Sequence, residues 1–130
     1  MTNNKRTVTE ALRVLITDPK HDERNIGAYF APEYQQWVDG KQLDYSRFVE
    51  HMETIKRHTK QMHLSIKSAV AENDTVFTHH VVSIEKNLNE KCEFEVFARF
   101  TLAAGKIIRC EELTRMVSGM AGDSDLGSRH

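Results

Sequence analysis

The second half of this chain repeats apolar residues at every second position, and that period commits it to a sheet. Beyond Lys60, Met62, Leu64, Ile66, Ser68 and Val70 alternate with Gln61, His63, Ser65, Lys67 and Ala69. Val76, Thr78, His80, Val82 and Ile84 repeat the pattern, then Cys92, Phe94, Val96, Ala98, Phe100 and Leu102, and last Ile108, Cys110, Glu112, Thr114 and Met116. Successive side chains of a strand point to opposite faces, so each run reads as a strand with one face toward a core. The breaks between runs are Glu72-Asn73-Asp74, Asn87–Glu90 and Ala104-Gly105. They are turn-forming and too short to hold a crossover helix, so the four strands form an antiparallel meander.

Before Lys60 the apolar spacing is helical. Thr7 and Glu10 stand at capping-box spacing, on a stripe of Val8, Ala11, Leu12, Leu15 and Ile16 that Pro19 ends. A second helix is expected over Asp22–Phe30, from Ile26, Tyr29 and Phe30, with Pro32 as its stop. Glu33–Val38 reads as a short strand closed by the Asp39-Gly40 turn. Asp44 caps a third helix with Tyr45, Phe48, Met52 and Ile55 in one stripe and Val49 and His51 on its shoulders. A chain of 130 residues suits one domain around one core. The expected fold class is therefore α+β, three N-terminal helices packed on one face of a strongly curved antiparallel sheet. The single domain, 1–130, is expected to have its core over residues 7–116, with 1–6 and 117–130 as flexible polar tails.

Several classes of function lack support. A formal net charge of −1 offers no basic field for nucleic acid or anionic lipid. The apolar runs are too short to span a bilayer and the first ten residues hold no apolar signal core, so a cytoplasmic location is expected. Cys92 and Cys110 both fall on inward faces and read as reduced core thiols. His63, His79 and His80 make no metal set, because adjacent residues of a strand face opposite ways. No serine or cysteine has a histidine partner in view, and no glycine-rich phosphate loop is present. No metal and no cofactor are expected.

Two ionisable residues stand out on the inward face. Glu112 lies in an otherwise apolar register, where a carboxylate needs a partner or a use. His80 lies one strand away, across Val96 and Ala98. Neighbouring strands are roughly 4.8 Å apart, so the two are expected to meet directly or through a water. They would form either an acid–base pair or a structural hydrogen bond. Tyr34, Gln36, His51, Thr78, Val82, Val96 and Thr114 are expected to line the same pocket. Asp39, directly before Gly40, reads as a turn residue, with a base as its alternative. The opposite face carries Phe77, Val81 and Phe97 beside His79, with Trp37 turned away from the pocket. That patch is expected to be a homodimer interface.

The order of elements, a helix pair, a short strand, a helix and four strands ending in GKIIRCEEL (105–113), resembles the nuclear transport factor 2-like, or SnoaL-like, superfamily over about residues 7–116. The resemblance implies a cystatin-like half-barrel cone with a pocket on its concave side and dimerisation through the other face. Steroid isomerases, polyketide cyclases, limonene epoxide hydrolase, dehydratases and non-catalytic binding domains share that cone. In limonene epoxide hydrolase the last-strand catalytic aspartate corresponds to Glu112, its arginine to His80 and its second aspartate to Val82. Its water-holding tyrosine and asparagine fall near Gln36 and Val38. That triad is broken here, which argues against epoxide hydrolysis. The steroid isomerase base falls near Val38, and the Cys92–Leu102 strand has no inward acid. The expectation is a pocket for a small apolar or amphipathic molecule, in a cofactor-independent isomerase, cyclase or dehydratase using Glu112 and His80. The alternative is a non-catalytic ligand-binding or dimerisation module.

Overall fold

The structure is a computed structural model and describes residues 3–88 and 90–118. Three helices, α1 (Asn4–Thr17), α2 (Glu23–Tyr29) and α3 (Tyr45–His58), are interleaved with six strands. The strands are β1 (Phe30–Val38), β2 (Lys41–Asp44), β3 (Thr59–Glu72), β4 (Thr75–Lys86), β5 (Lys91–Ala103) and β6 (Lys106–Ser118). They form one open sheet in the order β2-β1-β6-β5-β4-β3. β3 to β6 make the expected antiparallel meander, and β1 lies parallel to β6. This is the α+β cone of the expectation, with one parallel pair in an otherwise antiparallel sheet. No helix among the described residues is long and apolar enough to cross a membrane.

The core lies between the helices and the concave face. Val8, Ala11, Leu12 and Ile16 of α1 are buried against Val76, Ile84, Phe94, Val96, Phe100 and Leu102 of the sheet, together with Phe48, Met52 and Ile55 of α3. α1 packs on β3 and β4, while α3 packs on β1, β2 and β3. Phe30, Tyr34 and Phe48 form an aromatic triangle with ring centroids 4.8 to 5.0 Å apart, which clamps α3 onto β1. Asp39-Gly40 and Ala104-Gly105 both have positive φ at each residue, as a two-residue hairpin turn of primed type requires. Cys92 and Cys110 are both buried in the core.

Several boundaries and faces differ from the sequence reading. α1 begins at Asn4, because Asn3 rather than Thr7 accepts from the backbone of the first turn, here Arg6 N–H at 3.0 Å; residues 4–6 are therefore helical, not a tail. Phe30 belongs to β1 instead of α2, and Pro32 sits where the β1–β6 ladder is interrupted, the place a residue without N–H can occupy. β2 was not anticipated; it forms because the Asp39-Gly40 turn folds the chain back on β1. Ile107, not Ile108, is inward: Thr101 pairs with Arg109 and Leu102 with Ile107, so Ile108 is the extra residue of a bulge. A second bulge between Ile66 and Ser68 turns Ser68 and Val70 outward. Leu64, Ile66 and Val82 are half-buried rather than core, the first two because β3 is an edge strand. Val117 and Ser118 continue β6, and the rest of the expected C-terminal tail lies outside the described residues.

Candidate functional site

The concave face forms a partly open cavity of about 110 Å³. Its wall is apolar, from Leu12, Leu15 and Ile16 of α1, Phe48, Met52 and Ile55 of α3, and Phe94, Val96 and Phe100 of β5. Into this wall the elements deliver a few polar side chains. β1 supplies Tyr34 and Gln36, α3 supplies His51, β4 supplies His80, and β6 supplies Glu112 and Thr114. Val82 and Val96 also line the cavity. Thr78, expected to line it too, is buried beside it as the partner of His80 and does not contribute to the wall.

Three hydrogen bonds organise these groups, and each joins residues two apart on one strand, where the pleat puts them on one face. Tyr34 donates its hydroxyl to Gln36 Oε1 at 2.7 Å. Thr78 Oγ1 and His80 Nδ1 lie 3.0 Å apart. Cys110 Sγ donates to Glu112 Oε1 at 3.3 Å. The register explains why His80 and Glu112 do not bond each other: Glu112 is level with Ala98 and Thr78, whereas His80 is level with Val96 and Thr114. The expected direct contact is therefore absent, and the two groups face one cavity with separate partners.

Their surroundings set their protonation. Glu112 keeps some exposed surface, but protein crowds its carboxyl, and this burial pushes its pKa up to about 7. The Cys110 thiol opposes the rise and the nearby Asp39 carboxylate adds to it. Burial lowers His80 to about 4, helped by His79 behind it. The pair therefore does not share a proton near neutrality. His80 is neutral, and the titrating proton sits on Glu112. Burial also raises the Tyr34 hydroxyl and the Cys110 thiol well above their ordinary values, so both remain proton donors.

Asp39 is the turn residue expected of it, and its side chain has a second use. Its carboxylate accepts from Thr114 N–H at 2.8 Å and from the Thr114 hydroxyl, and its own N–H donates to Glu112 O at 3.0 Å. It thereby fastens the β1–β2 turn to β6 beside Glu112 and engages the Thr114 hydroxyl that had been expected to meet a ligand. The sequence reading missed this tie and the Cys110–Glu112 bond. The same-face spacing of Cys110 and Glu112 was the signal for the second; nothing local signalled the first.

The convex face differs in kind. Phe77, Phe97, Leu113 and Val70 are exposed there, with His79 stacked on Phe97 at 4.3 Å. Charged pairs surround them: Glu95 with His79 and Arg115, Glu111 with Arg99 and Arg109, and Arg109 over the Trp37 ring at 4.1 Å. Among the described residues no three His, Cys, Asp or Glu side chains come together as a metal site.

Cone, pocket and order of strands define a class, and the family comparison agrees: residues 9–110 match the SnoaL-like domain, and the chain belongs to that family. An uncharacterised protein of Schizosaccharomyces pombe is 24% identical over 128 residues, covering 98% of both chains. Among solved structures, AclR from Streptomyces galilaeus, described as a hydroxylase candidate, superposes with a TM-score of 0.76 at 16% identity, over 98% of this chain and 86% of that one. IdmH from Streptomyces antibioticus, described as a polyketide cyclase candidate, gives 0.75 at 12% identity, over 86% and 91%. An LEH-like epoxide hydrolase from M. tuberculosis gives 0.73 at 15%, over 86% and 82%. At these identities the solved structures establish the fold.

Proposed function

We propose that this chain binds a compact, largely apolar molecule in the concave cavity and moves a proton on it with Glu112, as an isomerase, cyclase or dehydratase does. The observation that carries the reading is a carboxyl group whose pKa of about 7 matches neutral pH, in a cavity with a largely apolar wall. As carboxylate, Glu112 takes a proton from a carbon or hydroxyl of the substrate; as carboxylic acid, it returns that proton elsewhere on the same molecule. Neutral His80, held by Thr78, hydrogen-bonds the substrate beside it. No cofactor enters this scheme. The test is exchange of the α-protons of cyclohexanone in D2O, followed by NMR. The protein should accelerate exchange over buffer, and Glu112→Gln should lower that rate about 100-fold with the fold intact. Cyclohexanone that binds but exchanges at the buffer rate would leave a binding module.

The convex face supports a second part of the proposal, a homodimer. Phe77, Phe97 and Leu113 are 51%, 54% and 69% exposed in the single chain, a contiguous apolar area ringed by Arg–Glu pairs. Sedimentation should show a dimer that Phe97→Glu shifts toward monomer. A dimer unchanged by that substitution removes this face from consideration.

A further inference from the structure

The hydrogen-bond inventory of the cavity says what kind of molecule it can hold. Tyr34 is fully buried, and its raised pKa keeps the hydroxyl proton in place, so that proton must be donated. It goes to Gln36 Oε1 at 2.7 Å, the ordinary length of an O–H···O bond. The bond from Tyr34 fixes the Gln36 side chain about its last torsion and leaves it the Nε2 amide as donor, with one lone pair still open on Oε1. The Thr114 hydroxyl is engaged by Asp39, and one Glu112 oxygen by Cys110. Among the described residues, neither lysine nor arginine lines the cavity.

We propose that the cavity selects uncharged molecules of about one ring that carry an acceptor oxygen, and that Gln36 Nε2, oriented by Tyr34, is the donor that takes this oxygen. The inference deepens the reading above and rests on the concave cavity being the ligand site. Size follows from the volume: an apolar cavity of about 150 Å³ holds a benzene molecule, and this one is of the same order at about 110 Å³. Charge follows from the lining. A bound carboxylate or phosphate would be buried without a cation, and beside Glu112 it would meet a second negative group. A bound ammonium would find the remaining Glu112 oxygen, but most of the surrounding wall is hydrocarbon, so the few acceptors beside it repay little of the cost of stripping its water. A ketone, lactone or ether oxygen needs one or two donors and leaves its hydrocarbon against the apolar wall. Glu112 on β6 and Gln36 on β1 approach such a molecule from adjacent strands, since Gln36 pairs with Cys110 in the parallel ladder. In a ketone, the C–H bonds that Glu112 can deprotonate are those next to the oxygen that Gln36 holds.

The experiment uses cyclohexanone, cyclohexanecarboxylate and cyclohexylammonium as probes at pH 7, with binding followed by NMR. Cyclohexanone should bind, and the two charged rings should bind at least tenfold more weakly. Adding the ketone should move the Gln36 side-chain amide resonances, and a ¹³C-labelled carbonyl should shift downfield as its oxygen accepts a hydrogen bond. Gln36→Met should weaken ketone binding about fivefold to tenfold, the size of one neutral hydrogen bond, and abolish the carbonyl shift. Tyr34→Phe frees the amide to turn over and should weaken binding less; in the Gln36→Met background it should add nothing. Should either variant fail to fold, the amide and carbonyl shifts of the native protein decide alone. Equal or tighter binding of either charged ring overturns the proposal. So do silent Gln36 resonances on ketone addition, or no ketone binding up to its solubility. The two readings fail separately. Ketone bound through Gln36 without α-proton exchange sinks the proton-transfer reading only, and exchange without any Gln36 response sinks this inference only.

Discussion

Glu111 and Glu112 are consecutive on one strand and carry the same functional group, yet the two faces of the sheet make opposite acids of them. Glu111 faces outward, where the Arg99 and Arg109 guanidinium groups hold its pKa below the usual carboxylate value. Glu112 faces inward, where loss of water pushes its pKa up to about 7. The histidines divide in the same way. His79 lies outside against Glu95 and Phe97, and His80 lies inside, neutral and bonded to Thr78. The lesson is that the pleat distributes chemistry: neighbours in sequence receive dielectric surroundings as different as a solvent-exposed ion pair and a hydrocarbon pocket.

The largest effect that probes this contrast is in packing. Phe94 is 3% exposed on the concave face and Phe97 is 54% exposed on the convex face. Phe94→Ala should cost about 3–5 kcal/mol in chemical denaturation. Phe97→Ala, measured at concentrations dilute enough to hold single chains, should cost less than about 1 kcal/mol. A Phe97 effect as large as that of Phe94 would mean the convex face is covered even in the single chain.

A smaller effect, but one with a definite sign, comes from the two glutamates. In the folded protein Glu112 keeps its proton to about pH 7, against an ordinary value of 4.5. Its contribution to stability is thus full below about pH 4.5 and is lost as pH rises through 7. His80 runs the other way. With a folded value of about 4 against 6.5, its contribution is full above 6.5 and lost as pH falls through 4. Between pH 4.5 and 6.5 the two slopes oppose each other. Glu112→Gln removes one of them, so the melting temperature should rise with pH across that window more steeply than in the native protein. At pH 8 the variant should be the more stable, by up to about 3 kcal/mol. Glu111→Gln should behave oppositely, losing less than about 1 kcal/mol near neutral pH, with the loss vanishing as acid protonates Glu111 in the native protein. Parallel pH profiles for the two variants would erase the distinction between the faces.

The same parity explains what could be read in advance. Period-two alternation is enough to assign a face, so Tyr34, Gln36, His80, Glu112 and the apolar wall were all legible as inward residues. It fails at a bulge, where one extra residue reverses every assignment beyond it; Ile107 replaced Ile108 and Val70 turned outward for that reason. It is also silent on rotamers. The sequence placed His80 and Glu112 on one face and suggested a pair, but each found a nearer partner two residues along its own strand. The Asp39–Thr114 tie depends on the Asp39-Gly40 turn arriving beside β6, and no local pattern encodes that.

The parallel pairing of β1 with β6 also sets a schedule for the molecule's own birth. Phe30 must wait for Ile107 and Val38 for Glu112, so β1 leaves the ribosome long before the strand that fixes it exists. Until then the nascent chain can form its helices and the β3–β4 hairpin, but β1 and β5 each keep an edge with unpaired N–H and C=O groups. Gln36 belongs to the early strand and Glu112 to the late one. The wall that would read a ligand and the acid that would act on it therefore meet only once β6 has been made, and a chain stopped after β5 would carry open sheet edges that neighbouring nascent chains can join.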